Sequence, residues 1–243
     1  FPAMPLVMDP HPVHREKQHP RTPLWNAMVV RMVAKSEWIG NPKAKEAIDK
    51  EWSRLKMQGT WDVKTVRPWK QVAAEARKTG TTIHVGRIFQ IMGEKGAELP
   101  DGDPGKKYKC RVVVQGNDVR DQDYAAALFE DLSAAPHSME AAKALDLYGG
   151  IQGHGQSTCD AEQAYCQAKL EGVVTWVRIP SEQRPKEWDA IDDPVCILRL
   201  ALYGHPLSGS YWERHRDKEL GKGEFYPVDN WSSVFRHEAL GLL

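Results

Sequence analysis

No apolar run in these 243 residues approaches the roughly 18 that a membrane-crossing helix needs, so no bilayer span is expected. Net charge is also missing. Lys plus Arg number 33, Asp plus Glu number 33, and the balance says nothing about partners. Cysteine is scarce: Cys110, Cys159, Cys166 and Cys196 are scattered and none forms Cys-x-x-Cys. That argues against a zinc site or a disulfide framework and for free thiols in a reducing compartment. The opening Phe1-Pro2-Ala3-Met4-Pro5 has no basic n-region and no apolar h-region, so it does not read as a signal peptide. It does not read as an initiator methionine either, which suggests a piece of a longer polyprotein. There is no internal repeat, and no low-complexity run outside the first residues. What remains is 41% hydrophobic with a mean hydropathy of −0.56, the balance of a soluble globular protein with one large domain or two small ones.

Residues 1 to 23 hold six prolines among His, Arg and Lys and read as an extended tail or linker. Trp25 to Trp38 is more apolar but has no clean period. Asn41-Pro42 is a helix start, with Asn as N-cap and Pro at the first helical position. Ala44, Ala47, Ile48, Glu51, Trp52 and Leu55 follow at helical spacing, and Gly59 ends the helix. Thr60 to Val63 looks like the start of a strand. Residues 67 to 79 fit a surface loop or a short helix. Thr82 to Met92 and Lys107 to Val114 read as two strands of a long hairpin, joined through Gly/Pro/Asp turn clusters. The second arm is basic, with Lys106, Lys107, Lys109 and Arg111. Such a row is either a charged solvent face or a phosphate-binding face, since Arg matches phosphate oxygens bidentately.

Asp121 to Asp131 is acidic and alanine-rich. Ser138 to Tyr148 predicts a helix closed by Gly149-Gly150. Val173 to Ile179 predicts a strand stopped by Pro180. Val195 to Tyr203 predicts a buried strand or the extended entry to a helix. Ser210-x-x-Glu213 has capping-box spacing for a helix reaching about Leu220. Val234-Phe235 and Leu240 to Leu243 look like strand pieces.

The stretch Thr158 to Tyr165 organises these elements. Small polar residues lead into Asp160, and Ala161, Ala164, Tyr165 and Ala168 then repeat at helical spacing. Asp160 is expected at a strand-to-helix junction. A carboxylate there projects into a cleft and can hold magnesium, which takes one or two carboxylates together with substrate phosphates. An aspartate there is also a common helix N-cap.

Taken together these pieces resemble the reverse transcriptase domain of copia-type retrotransposons over about residues 40 to 243. The helix with Leu55 followed by Thr60-Trp61 resembles that family's opening "L…TW" segment. Tyr108 to Gly116 resembles "YKARLVAKG". Cys159 to Tyr165 resembles "DVKTAF", Trp176 to Pro180 resembles "VYMKQP", and Leu202 to Trp212 is similar to "LYGLKQSPRAW". No single segment is specific, but their shared order with plausible gaps is.

The resemblance implies an α+β right-hand polymerase, with residues 1–40 as tail or linker, 41–150 as a fingers-like region and 151–243 as a partial palm. In that palm, strands near 157 to 160 and 174 to 179 share an antiparallel sheet, and helices 161–170 and 208–220 pack on one face of it. The implied reaction is DNA synthesis on an RNA or DNA template with two magnesium ions. Asp160 and the backbone carbonyl of Ala161 are the implied metal ligands. Arg111, Lys106, Lys107 and Lys109 would clamp the triphosphate. Tyr165 would pack under the sugar, or lie in the core on its helix face. Gly204 and Ser208 would border the nucleotide pocket. The implied partners are template-primer, deoxynucleotide and other polyprotein regions such as integrase and RNase H. The implied setting is intracellular, cytoplasmic or nuclear, in virus-like particles, without a membrane.

The chain also departs from the family. No aromatic-x-Asp-Asp turn, the source of the second catalytic acid, occurs before Leu243. Asp192-Asp193 and Asp229-Asn230 do not fit its place. His205, Pro206 and Leu207 stand where the family has "LKQ", and Gly209 stands where it has Pro. A degenerate or domesticated nucleic-acid-binding relative is therefore the alternative. A metal-dependent hydrolase using His154, Asp160 and Glu162 is a third reading, but that spacing matches no established ligand set.

Overall fold

Helix α2 (Pro42–Gln58) shows how local chemistry starts and stops an element. The Asn41 side chain accepts the N–H groups of Lys43 and Ala44 at 3.0 and 3.3 Å, and Pro42 occupies the first turn, where a missing N–H costs nothing. Ala44, Ile48, Trp52 and Leu55 form the buried stripe. Gly59 closes the helix in the left-handed conformation at φ 69°, and Thr60 N–H reaches back to the Leu55 carbonyl. A computed structural model describes residues 30–129 and 136–243 of the chain. The proline-rich expectation for residues 1 to 23 lies outside the described residues, as do residues 25–29 and the end of the 121–131 stretch.

The described residues form an α+β fold with six helices. β1 (Val30–Met32) and α1 (Lys35–Trp38) precede α2. β2 (Trp61–Pro68) runs into α3 (Trp69–Thr79). The hairpin follows as β3 (His84–Lys95) and β4 (Lys107–Val114), in register from Ile88 opposite Val114 to Lys95 opposite Lys107. On β4, Cys110, Val112 and Val114 are buried while Lys107, Lys109 and Arg111 are exposed, the period-two alternation of a half-buried strand. β5 (Arg120–Asp121), α4 (Met139–Gly149), α5 (Ala164–Gln167), β6 (Thr175–Arg178), β7 (Pro194–Leu198) and α6 (Ser208–Lys222) complete the main body. β8 (Tyr226–Pro227) and β9 (Phe235–Arg236) make a small separate sheet. Leu240 to Leu243 is no strand and contributes only the bridge between His237 and Leu242.

The main sheet runs β1-β3-β6-β7-β2, with β4 and β5 also on β3. It is mixed rather than antiparallel, because β6 lies parallel to β3. Strands before and after residue 150 share it: β3 pairs β6 and β2 pairs β7. Helices cover both faces instead of one. On one face the α3 residues Trp69, Val72, Ala73 and Ala76 meet Val85, Trp176 and Val195. Val177, which follows Trp176 and so points the other way, belongs to the core that contains Ile48, Trp52 and Leu55 of α2. The buried Tyr211 of α6 packs in a small cluster with Ala168 and Ala201, apart from both.

Two expectations around residue 160 fail. Residues 157–160 form no strand and are exposed. Both edges of β6 are already taken, by β3 and β7, so no place remains there for another strand. The helix expected over 161–170 shrinks to Ala164–Gln167. Gln163 before it sits at φ 49°, and Ala168 turns extended so that its carbonyl accepts Ala201 N–H and Leu170 N–H reaches Arg199. Tertiary pairing with the 199–201 segment ends the helix. α6 begins at Ser208, two residues before the expected cap. Ser210 lies within its first turn and its Oγ accepts from Arg214 at 3.2 Å.

Candidate functional site

A groove of about 590 Å³ is lined by Lys50, Glu51 and Arg54 of α2 and by Lys106, Lys107 and Lys109 at the start of the basic arm. Packing makes this groove. α2 lies on β4 because Ile48, Trp52 and Leu55 share a core with Cys110, Val112 and Val114. That contact brings Glu51 against the outer edge of β4, where its carboxylate accepts the Val112 N–H. Burial pushes the Glu51 carboxyl up, while Arg54, the Val112 amide, Lys109 and Arg111 pull it back.

Lys109 and Arg111 sit on the exposed side of the strand. Burial lowers the Lys109 pKa, as do Lys95 and Arg111, while Glu51 and Asp160 raise it. Asp160, although exposed and outside any helix or strand, therefore stands within electrostatic reach of Lys109. The Arg111 guanidinium lies over the Tyr203 ring, 5.7 Å from its centroid. Tyr165 of α5, half-buried, tilts against the same Tyr203 at 4.8 Å. An arginine and two aromatic rings thus lie in series.

Gly204 joins these parts. It has φ 84°, and a Cβ there would overlap the Val114 carbonyl; a Cβ on Gly116 would overlap the Gly204 carbonyl. The Val114 N–H donates to the Tyr203 carbonyl at 2.7 Å. This close approach places Tyr203 under Arg111.

Lys106, in the turn before β4, lines the same groove and pairs with Asp101 at 2.6 Å, a contact that raises its pKa. Ser208 is buried and donates to the Leu202 carbonyl at 2.6 Å, which fastens the start of α6. Ala161 is exposed beside Asp160. Lys107 keeps its place on the groove, opposite Lys95 in the hairpin. Glu51, Arg54 and Tyr203 were not expected from sequence. Glu51 carried a signal, a charged residue on the apolar stripe of α2; Tyr203 carried none, since its place depends on the two-glycine contact.

Magnesium needs oxygen ligands that converge. Glu51 is held by the β4 edge, and Glu162 pairs with Arg54 at 3.3 Å. His154 instead makes a hydrogen bond through Nδ1 with the Tyr148 carbonyl at 3.0 Å and packs on that ring. Among the described residues no three His, Cys, Asp or Glu side chains come together in a metal-binding group. These residues do not fit a two-ion centre, and they do not assemble the hydrolase set of His154, Asp160 and Glu162. Nor is any helix among the described residues long and apolar enough to cross a membrane. Comparison with known proteins finds no match: no family model, no curated protein and no solved structure aligns significantly with the chain.

Proposed function

We propose that this chain is a copia-type reverse-transcriptase-like module, fingers and part of a palm, that binds nucleic-acid or nucleotide phosphates along β4 without itself completing nucleotidyl transfer. The row Lys107, Lys109 and Arg111 on the open side of one strand carries this reading, because its charges are not spent on salt bridges among the described residues. Arg111 lies over Tyr203, which in turn packs against Tyr165, a combination suited to a phosphate beside a base. The ordered resemblance of Tyr108–Gly116, Cys159–Tyr165 and Leu202–Trp212 to the family's segments supports the polymerase kinship. Asp160 alone suffices to share one magnesium ion with bound phosphates, not to hold a pair. Template-primer is the partner this chemistry suits.

The test is fluorescence anisotropy with a short single-stranded oligonucleotide across a salt series. The Lys109→Ala/Arg111→Ala variant should bind more weakly, and its slope of log affinity against log salt should shrink by roughly 1.4, about 0.7 per lost phosphate contact. Unchanged affinity and slope would show that β4 is only a solvated face.

A further inference from the structure

A second cavity, of about 1270 Å³, shares no lining residue with the groove between α2 and β4. Arg87 and Arg178 are direct partners across the parallel pair of β3 and β6, so both guanidinium groups leave the same face of the sheet. Like charges so placed repel unless something holds them. Arg178 is held: Asp193 accepts its Nε and its terminal nitrogen at 2.7 Å each, the Tyr124 hydroxyl accepts at 3.0 Å, and the Trp69 ring lies beneath at 5.7 Å. Both holding residues adopt left-handed backbone, Tyr124 at φ 64° and Asp193 at φ 42°. Such conformations persist where the surroundings over-determine them and concentrate at ligand sites.

The other cavity arginines are also spoken for, Arg120 by Asp118 at 2.7 Å and Arg184 by Asp189 at 3.0 Å. Arg87 alone among the four has no ion pair with a described residue, and it is exposed into the cavity. Tyr124, 55% exposed, lines the same space. An unpaired guanidinium and a fixed aromatic ring on the wall of one cavity are the chemistry that binds a phosphate and stacks a base.

We propose that this cavity is a second nucleotide-class site, with a phosphate on Arg87 and a base against Tyr124. It uses none of the residues of the β4 reading, so the two stand or fall separately. Asp192, an exposed carboxylate in the same lining with no ion pair among the described residues, opposes the anion and limits its affinity.

The experiment uses the full chain carrying Lys109→Ala/Arg111→Ala, which removes the β4 row. Titration calorimetry follows adenosine monophosphate, adenosine, and a short single-stranded oligonucleotide. Adenosine monophosphate should still bind. Adding Arg87→Ala should weaken it by about ten-fold or more, the loss of a charge-assisted pair, while barely affecting adenosine. Tyr124→Phe should retain binding, Tyr124→Ala should lose it, and Asp192→Asn should tighten it. Tighter binding of the oligonucleotide with the same Arg87 dependence assigns the site to a nucleic-acid strand; equal or weaker binding assigns it to a free nucleotide. Absence of binding by both phosphate probes, or binding indifferent to Arg87→Ala, overturns the proposal.

Discussion

Gly204 lies so close to Val114 that no side chain fits between them, and the neighbouring Val114 N–H is bound by the Tyr203 carbonyl at 2.7 Å. Gly59 has a similar backbone, φ 69°, but open space around it. The two glycines separate conformational strain from close approach. Gly59→Ala should cost roughly 1–2 kcal/mol, whereas Gly204→Ala adds a backbone clash and should cost roughly 3 kcal/mol or more. Urea unfolding midpoints measure both. Equal losses would mean that the contact with Val114 relaxes freely.

A pH dependence follows from His205 and His84, which flank Phe129 with ring centroids 5.6 and 5.1 Å from it. Burial first, then the charge of His84, lowers the His205 pKa from its usual 6.5 to about 4; burial lowers that of His84, and Asp121 partly restores it. His205 Nδ1 accepts the Leu207 N–H, and Nε2 is buried without a partner. The unfolded chain takes up these protons near pH 6.5, and the folded chain resists until far lower. Stability is therefore full above that value and falls as pH drops toward 4. His205 by itself should lose about 2 kcal/mol between pH 7 and pH 5. Urea unfolding at the two pH values, with and without His205→Gln, isolates this share. A wild-type decline no steeper than the variant's would place the charged imidazole in contact with water.

Trp52 should dominate the stability of the α2 core. It is 1% exposed, meets Trp61 edge-on at 5.6 Å, and donates its indole N–H to the Gln90 side chain at 2.7 Å. Trp52→Ala should cost about 3–5 kcal/mol. Trp52→Phe keeps a ring but strands Gln90, and should cost about 1–3 kcal/mol. Chemical unfolding gives both values. A smaller loss for alanine than for phenylalanine would contradict the packing described.

This chain should not extend a primer on an RNA template with magnesium. Two-metal chemistry brings its ions to about 3.5–4 Å apart, and converging carboxylates must offset their repulsion. Glu162 is drawn to Arg54 and Glu51 to the β4 edge, which leaves Asp160. Gel analysis of primer extension tests this. Magnesium-dependent extension that Asp160→Asn abolishes would show that another acid joins Asp160.

Local chemistry alone determined α2, α4 and the β3–β4 hairpin. Asn41 and Gly59 sit at the ends of α2 as caps, Ser138 caps α4 by accepting the Ala141 N–H at 3.1 Å, and β4 alternates buried and basic residues. The caps depend on groups within a few positions along the chain, and the alternation on β4's own residues. Trp69, Val72, Ala73 and Ala76 carried the same helical spacing for α3, although the charged residues between them also suited a loop. The site was decided by tertiary structure. The occupied edges of β6 denied Asp160 its strand, pairing with residues 199–201 shortened its helix, Asp101 paired with Lys106, and the Leu202 carbonyl took the Ser208 hydroxyl. Tyr203 reached Arg111 because two distant glycines let their backbones meet. Local periodicity reports which face of an element is apolar; which edge is free, or which charge is already paired, depends on residues far away in the chain.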